Sequence, residues 1–291
     1  MSSYNITINN LNINMPSTEA KKQLRVGIVG NGEIGSSLHK VYELADYKNV
    51  VIRDPYQGIH NSVSDCDIVN VAIPFFGYDK FVTALKELHM KPGTLLIIQS
   101  TIGVGTTDEL QKEFPEIICI QSPVRGVHPH LTEGMLVFDK YMGISDKYYT
   151  NKKIVSMIED HLKSCNMKPV ITRAKESELA KVVSTTLYGV NIAAINDVSE
   201  MCEKYGVSFD KVFTKWQIGY NEGYQQLGKA NVCRPVLTPI PRNEEGKKLI
   251  GGHCVIPNSV ILRNMGESNL SEFVLRYSDE SNIKHVTGAK H

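Results

Sequence analysis

An α/β fold, a parallel-sheet domain followed by a mainly helical domain, is the class this sequence predicts, and three observations predict it. From Leu24 onward, short β-branched runs (RVGIVG, VVIRD, DIVNVAIP, TLLIIQST, IICIQSP, YMGIS) alternate with helical stretches. Strands alternating with helices imply right-handed crossovers and a parallel sheet covered on both faces. A glycine-rich turn, Gly30-Asn31-Gly32-Glu33-Ile34-Gly35, joins the first run to the first helix. After Thr172 the alternation gives way to one long helical pattern.

Residues 1–22, rich in Asn, Ser and Thr, lack the charged-then-apolar order of a signal peptide and read as a flexible tail or a short added strand. The sheet domain occupies 23–174, with its first helix running from about Glu33 to Leu44. Residues 175–291 form the helical domain. In its opening helix, about Lys175 to Tyr205, Leu179, Val182, Val183, Thr186, Leu187, Val190, Ile192 and Ile195 recur at three- and four-residue steps. Gly206 stops that helix and a further one covers about Phe209 to Tyr224. Prolines 235, 239, 241 and 257 with Gly251-Gly252 predict a long ordered loop or lid over 228–258. The long helix carries apolar residues on more than one face, which predicts that a second copy covers it in a homodimer.

Lys and Arg (32) nearly balance Asp and Glu (31), so no strong field favours nucleic acid or an anionic membrane, and an anion must be bound locally. Six cysteines without a CxxC fit reduced thiols in a cytoplasmic protein better than a disulfide frame or a zinc site. No apolar stretch reaches the ~18 residues that span a bilayer.

The glycine turn carries the first chemistry. Gly30 permits the tight turn, Gly32 lets a pyrophosphate approach the backbone, and Gly35 lets the helix pack on the strand, while Asn31, Glu33 and Ile34 supply N–H groups at the helix start. Asp54 ends the next strand, where a carboxylate accepts the adenine ribose hydroxyls; this favours NAD over NADP, although Arg53 beside it suits a 2'-phosphate. Pro74 and Thr101 close later strands and either line the nicotinamide half of the groove or simply end the strands. His-Pro-His at 128–130 follows Arg125 and is either a surface turn or, with Arg125, His128 and His130, a group for an anionic or hydroxyl-rich small-molecule substrate. A third metal ligand is not identifiable by spacing, so no metal is expected. Cys254, after Gly251-Gly252-His253, is either a buried thiol or a reactive one near a ligand.

The segments GNGEIG, DIVNVAIP, QSTIGVGTT, QSPVRG, ESELAKVVSTTLYGVNIAAINDVSEMCEKYG and GGHC, in that order, resemble the UDP-glucose/GDP-mannose dehydrogenase family, built on the plan of 6-phosphogluconate and β-hydroxyacid dehydrogenases. The resemblance implies an NAD-binding Rossmann domain, a central helix that forms a dimer core, and oxidation of an alcohol through a cysteine. It implies Cys254 as nucleophile, Lys181 beside the developing alkoxide, and Thr101 and Thr185 as hydroxyls orienting water or substrate. Asn258 then falls on the substrate side; His253 either meets the substrate and modulates the thiol or faces solvent, and Arg234 either reaches a substrate phosphate or carboxylate or serves solubility. Three positions depart from the family: Thr185 stands for an asparagine, Asn258 for an aspartate and Val124 for a glutamate. The shorter chain implies that the carboxy-terminal domain gripping the nucleotide-sugar is lacking. Two other readings stand beside the covalent one: a single-step β-hydroxyacid-type dehydrogenase using Lys181, and an NAD-binding protein without turnover.

Overall fold

The computed structural model describes residues 4–8, 11–15, 23–126, 129–252, 254–266, 268–279 and 283. They divide into two compact units, 1–181 and 182–291. His128 and His253 lie outside the described residues. Among the described residues no helix is long and apolar enough to cross a membrane.

In the first unit, β1 (Tyr4–Ile8) and β2 (Leu11–Met15) pair antiparallel. The main sheet is built from β3 (Val26–Val29), β4 (Val50–Asp54), β5 (Ile59–His60), β6 (Ile68–Val71), β7 (Leu95–Ile98), β8 (Ile118–Gln121), β9 (Asp139–Ile144) and β10 (Lys168–Arg173). Their spatial order is β10-β9-β8-β7-β6-β3-β4-β5. The chain goes from β3 to β4 on one side and returns to β6 on the other, so the switch point lies beside β3, where ligands of such sheets bind beyond the carboxyl ends. Strands β3, β6, β7 and β8 are buried along their whole length, as a sheet covered on both faces requires.

Alternate strand residues serve opposite layers. Ile68, Leu95, Ile97, Ile118 and Ile120 pack with Leu38, Val41 and Tyr42 of α1 (Glu33–Leu44) and with Ile154 and Ile158 of α5 (Lys152–Ser164). Val69, Val71, Leu96, Ile98 and Cys119 pack with Phe81 and Leu85 of α2 (Tyr78–Lys86) and Leu110 of α3 (Thr106–Glu113).

One expectation is corrected: the sheet is mixed. β9 runs antiparallel to β8, and the two-residue β5 runs antiparallel to β4. Within the connection from β8 to β9 the seven-residue α4 (Leu131–Val137) gives about 10 Å of helix, less than a full crossover helix supplies. The thirteen-residue α5 does make that crossing, and β10 pairs parallel with β9.

The 32-residue α6 (Ala174–Tyr205) leads from one unit into the other. Its start is fixed by Glu176, whose carboxylate accepts the Arg173 N–H at 2.8 Å, half of a capping box. The unit division falls after Lys181, and the first two turns of α6 are bonded within the first unit: Ser177 to Gln121 of β8, Glu178 to Thr107 of α3 and Lys181 to the Val124 carbonyl.

The second unit packs Ala193 of α6 with Val255, Ile256 and Val260 of α8 (Val255–Asn264) and Val274 and Leu275 of α9 (Asn269–Leu275). Gly189 permits this approach: a Cβ there would lie 2.5 Å from Val255 Cγ1. A π turn (Asp210–Thr214) leads into α7 (Lys215–Gln226), which buries none of its residues. The proline-rich segment is irregular apart from a short 3-10 turn (Ala230–Val232), but its last four predicted residues, 255–258, are helical. Pro257 does not stop α8 because it sits in the first turn, where the missing N–H would have had no intrahelical acceptor.

Candidate active site

The glycine turn at the end of β3 separates three steric roles. Gly30 has φ +92°, and a Cβ there would stand 2.6 Å from the Ala72 carbonyl oxygen. At Gly35 a Cβ would overlap the Gly30 carbonyl oxygen, so helix and strand meet there with no room for a side chain. Above Gly32 a Cβ would meet nothing within 4 Å. That opening faces the start of α1, whose N-cap Gly32 offers no side-chain cap, so the first-turn N–H groups, including those of Glu33 and Ile34, remain donors for an anion.

Asp54, buried at the end of β4, accepts the Asn31 N–H at 2.7 Å through Oδ2 and the Gln57 N–H at 3.3 Å through Oδ1. Asn31 and Gln57 also exchange bonds: Asn31 Nδ2 donates to Gln57 Oε1 at 2.9 Å and Gln57 Nε2 to the Asn31 carbonyl at 3.1 Å. The carboxylate thus locks the turn while each oxygen keeps acceptor capacity for a hydroxyl. Arg53 Nη1 is directed to the Asn61 carbonyl at 3.2 Å. Open space over Gly32, an uncapped helix start and an acceptor at the next strand end together fit a dinucleotide.

The next strand ends are tied to one another. Ser100 Oγ donates to the Ile73 carbonyl at 2.6 Å, fixing the half-buried Thr101 relative to the exposed Pro74. The loop after Thr101 is held from a distance by Glu178 of α6. Its fully buried carboxylate accepts the Gly105 N–H at 2.6 Å, the Thr107 N–H at 2.8 Å and the Thr107 hydroxyl at 2.6 Å. Burial pushes the Glu178 pKa up, opposed by those three donors.

After β8, Lys181 Nζ donates to the Val124 carbonyl at 2.8 Å. The same loop receives a second amine: Lys140 of β9, only 3% exposed, donates to the Ser122 carbonyl at 2.9 Å and to Gln99 Oε1 at 2.7 Å, with the Pro123 carbonyl at 3.4 Å. Burial, followed by repulsion from Lys181, brings the Lys140 pKa down to about 7. Exposed Arg125 lies over the rings of Phe138 and Tyr141, each at 5.6 Å, and exposed His130 precedes α4.

In the second unit Thr185 stands one turn beyond Lys181 on α6. Cys254 is exposed at the N-cap of α8, after Gly252 at φ +83°; the other cysteines are buried or half-buried. Asn258, one turn on, donates its N–H to the Cys254 carbonyl at 3.0 Å. Its side chain is buried, and Nδ2 has no hydrogen-bond partner among the described residues. Arg234 lies 4.6 Å from the Tyr220 ring, its backbone held by Asn221. No group of three metal-ligating side chains occurs among the described residues.

Sequence reading therefore names Asn31, Asp54, Lys181 and Cys254 but not Gln57, Lys140 or Glu178. A signal for Lys140 exists: Asn70 interrupts one otherwise apolar strand and Gln99 directly follows another, and buried amides need partners.

Residues 175–236 match the central domain of the UDP-glucose/GDP-mannose dehydrogenase family. The chain is 25% identical over 181 residues to a UDP-N-acetyl-D-mannosamine dehydrogenase of Methanocaldococcus jannaschii, covering 61% of this chain and 36% of that one. It is 25% identical over 139 residues to a UDP-glucose 6-dehydrogenase of Bacillus subtilis, covering 46% and 32%. The chain thus spans about a third of the length of these curated relatives. Its fold is that of the UDP-D-ManNAc dehydrogenase from Pyrococcus horikoshii (TM-score 0.66, 18% identity, 88% of this chain and 68% of that one). It is also that of a 3-hydroxyisobutyrate dehydrogenase from Mycobacterium tuberculosis (TM-score 0.59, 17% identity, 87% and 91%).

Proposed function

We propose that this chain, which resembles the UDP-glucose/GDP-mannose dehydrogenase family, is an NAD-dependent oxidoreductase acting on the CH–OH or aldehyde carbon of a small polar, sugar-derived substrate. The match of residues 175–236, carrying Lys181 and Thr185, directly after a dinucleotide-type sheet is the observation that carries the reading. The bound cofactor supplies the hydride acceptor. The first turn of α1 holds its pyrophosphate and Asp54 accepts the ribose hydroxyls. A 2'-phosphate would meet the Asp54 carboxylate, and Arg53 is already engaged by the Asn61 carbonyl, which supports NAD over NADP. The Lys181 amine stabilises the alkoxide as the hydroxyl proton leaves, and the Thr101 and Thr185 hydroxyls orient the substrate oxygen.

Cys254 adds to the aldehyde carbon: a C–S bond forms, the carbonyl π bond breaks and its oxygen gains a proton. A dinucleotide held at the glycine turn would serve as hydride acceptor for both oxidations; the hydroxyl of the Cys254 thiohemiacetal gives up its proton as the carbonyl re-forms, and water cleaves the resulting thioester to the acid and the free thiol. Arg125, His130 and Arg234 contribute cationic or hydrogen-bonding groups to a polar substrate. A homodimer belongs to the reading, supported by exposed Leu187, Tyr188 and Tyr205 along α6 and exposed Trp216 on α7.

The test is NADH formation with UDP-N-acetyl-D-mannosamine, UDP-glucose, sugar phosphates and hydroxy acids. Two NADH per substrate are expected, and Cys254→Ser should lose acid formation while still binding NAD. Absence of NADH with every substrate while NAD binds would reduce the chain to a cofactor-binding protein. Asn258 favours a second reading, a single-step dehydrogenase with Cys254 as bystander. An amide cannot act as the base that thioester hydrolysis needs, and that reading yields one NADH per substrate and turnover indifferent to Cys254→Ser.

A further inference from the structure

Two amines from distant parts of the first unit grip one short loop. Lys140 of β9 takes the Ser122 carbonyl and approaches that of Pro123, and Lys181 of α6 takes the next one, Val124. Three successive carbonyl oxygens after β8 are therefore turned toward lysine amines. Position 124 itself brings no polar side chain to them: it is valine, buried at 6% exposure.

Lys140 is anchored from behind. Gln99 accepts from it and donates to Asn70 Oδ1 at 2.9 Å; Asn70 Nδ2 donates to the Tyr42 hydroxyl at 3.0 Å. The Tyr42 and Tyr47 hydroxyls flank the two ring nitrogens of buried His161 at 3.0 and 3.2 Å, and Tyr47 continues to Ser164 at 2.8 Å. This chain of buried polar groups crosses the core from α5 to the carboxyl ends of the strands, so Lys140 cannot swing away without breaking it.

We propose that Lys140 is a positioning residue: by holding the Ser122 and Pro123 carbonyls on its anchored amine, it sets the Val124 carbonyl where that oxygen takes and directs the amine of Lys181. Lys140 is itself too buried to touch substrate or cofactor. The inference rests on Lys181 acting at the reacting carbon, but its structural content is tested without turnover.

The experiment is trace acetylation of the full chain with acetic anhydride across pH, with the Lys181 modification rate read by mass spectrometry in wild type, Lys140→Met, Lys140→Arg and Gln99→Met. Releasing Lys181 from Val124 should raise its rate in Lys140→Met about tenfold, the equivalent of one charge-assisted hydrogen bond. Lys140→Arg, which keeps a cationic donor, should bring the rate back toward wild type. Gln99→Met, which loosens the anchor and leaves the amine in place, should give a smaller rise and serves if Lys140→Met does not fold. An unchanged Lys181 rate in folded Lys140→Met, or in Gln99→Met where it alone folds, overturns the proposal. Turnover of Lys181→Met reports separately: if it equals wild type, the role of Lys181 in catalysis fails while the acetylation result stands.

Discussion

The buried amine of Lys140 should leave a measurable mark on stability. Its pKa in the folded protein is about 7, against 10.5 in a free side chain, because burial and then the charge of Lys181 disfavour the ammonium. Between those values the unfolded chain binds a proton that the folded chain does not, so stability rises with pH through this window. The contribution is fully present above the unfolded value and is lost as pH falls toward 7. Each pH unit is worth about 1.4 kcal/mol, which makes the change from pH 7 to 9.5 about 3 kcal/mol. Lys140→Met removes the titration and keeps most of the volume. Urea unfolding of both proteins at several pH values isolates the effect, since groups distant from Lys140 cancel in the difference and Lys181 is the coupled neighbour that does not. Near-ultraviolet circular dichroism is a suitable probe because Tyr42 and Tyr47 lie in the core of this unit. At pH 7 the variant should stand at its best relative to wild type, and by pH 9.5 that standing should have worsened by about 3 kcal/mol. A difference constant from pH 7 to 9.5 would show that the folded protein keeps this lysine charged, and the reasoning from burial would be refuted.

Other substitutions separate the parts of the site. Gly32→Ala should fold as wild type, within about 0.5 kcal/mol, yet lose at least about tenfold in NAD affinity by calorimetric titration, since the space it fills is open in the protein and needed by the pyrophosphate. Gly35→Ala should instead lower the thermal midpoint strongly, because its Cβ would overlap the Gly30 carbonyl; a normal midpoint would contradict the helix–strand contact described. Glu178→Ala leaves three donors at the start of α3 without their acceptor and should lower stability by about 3 kcal/mol or more in urea unfolding, with a loss below about 1 kcal/mol arguing that water replaces the carboxylate.

What the sequence reveals is what the backbone constrains locally. Gly30, Gly32 and Gly35 are readable because their fixed spacing lies in one turn between a strand and a helix, and α6 because its apolar steps repeat over many turns. Lys140 and Glu178 are opaque for the opposite reason. Asp139-Lys140 opens a strand and Glu178 stands amid charged residues of a helix start, both ordinary places for solvated side chains, while their partners lie 17–41 and 71–73 residues upstream. The reversal of β9 against β8 is also what turns Lys140 toward Gln99 and the loop, and nothing in the YMGIS run marks its direction.

Both hidden residues work on loops that the sequence does identify. Glu178 holds the segment after Thr101, and Lys140 holds the loop whose Val124 carbonyl Lys181 meets, so the candidate side chains are legible while the groups bonded behind them are not. The asymmetry has a physical cause. A reactive group sits at a strand or helix end, where local pattern announces it, whereas an aiming group must be buried and paired over long sequence distance to be rigid. The exchange of an expected glutamate for Val124 sharpens the point. With no carboxylate at that position to balance two neighbouring amines, main-chain carbonyls take the role, and they can do so only if the loop is clamped against relaxing toward water. In this chain two buried or half-buried amines, Lys140 and Lys181, supply those contacts to one loop.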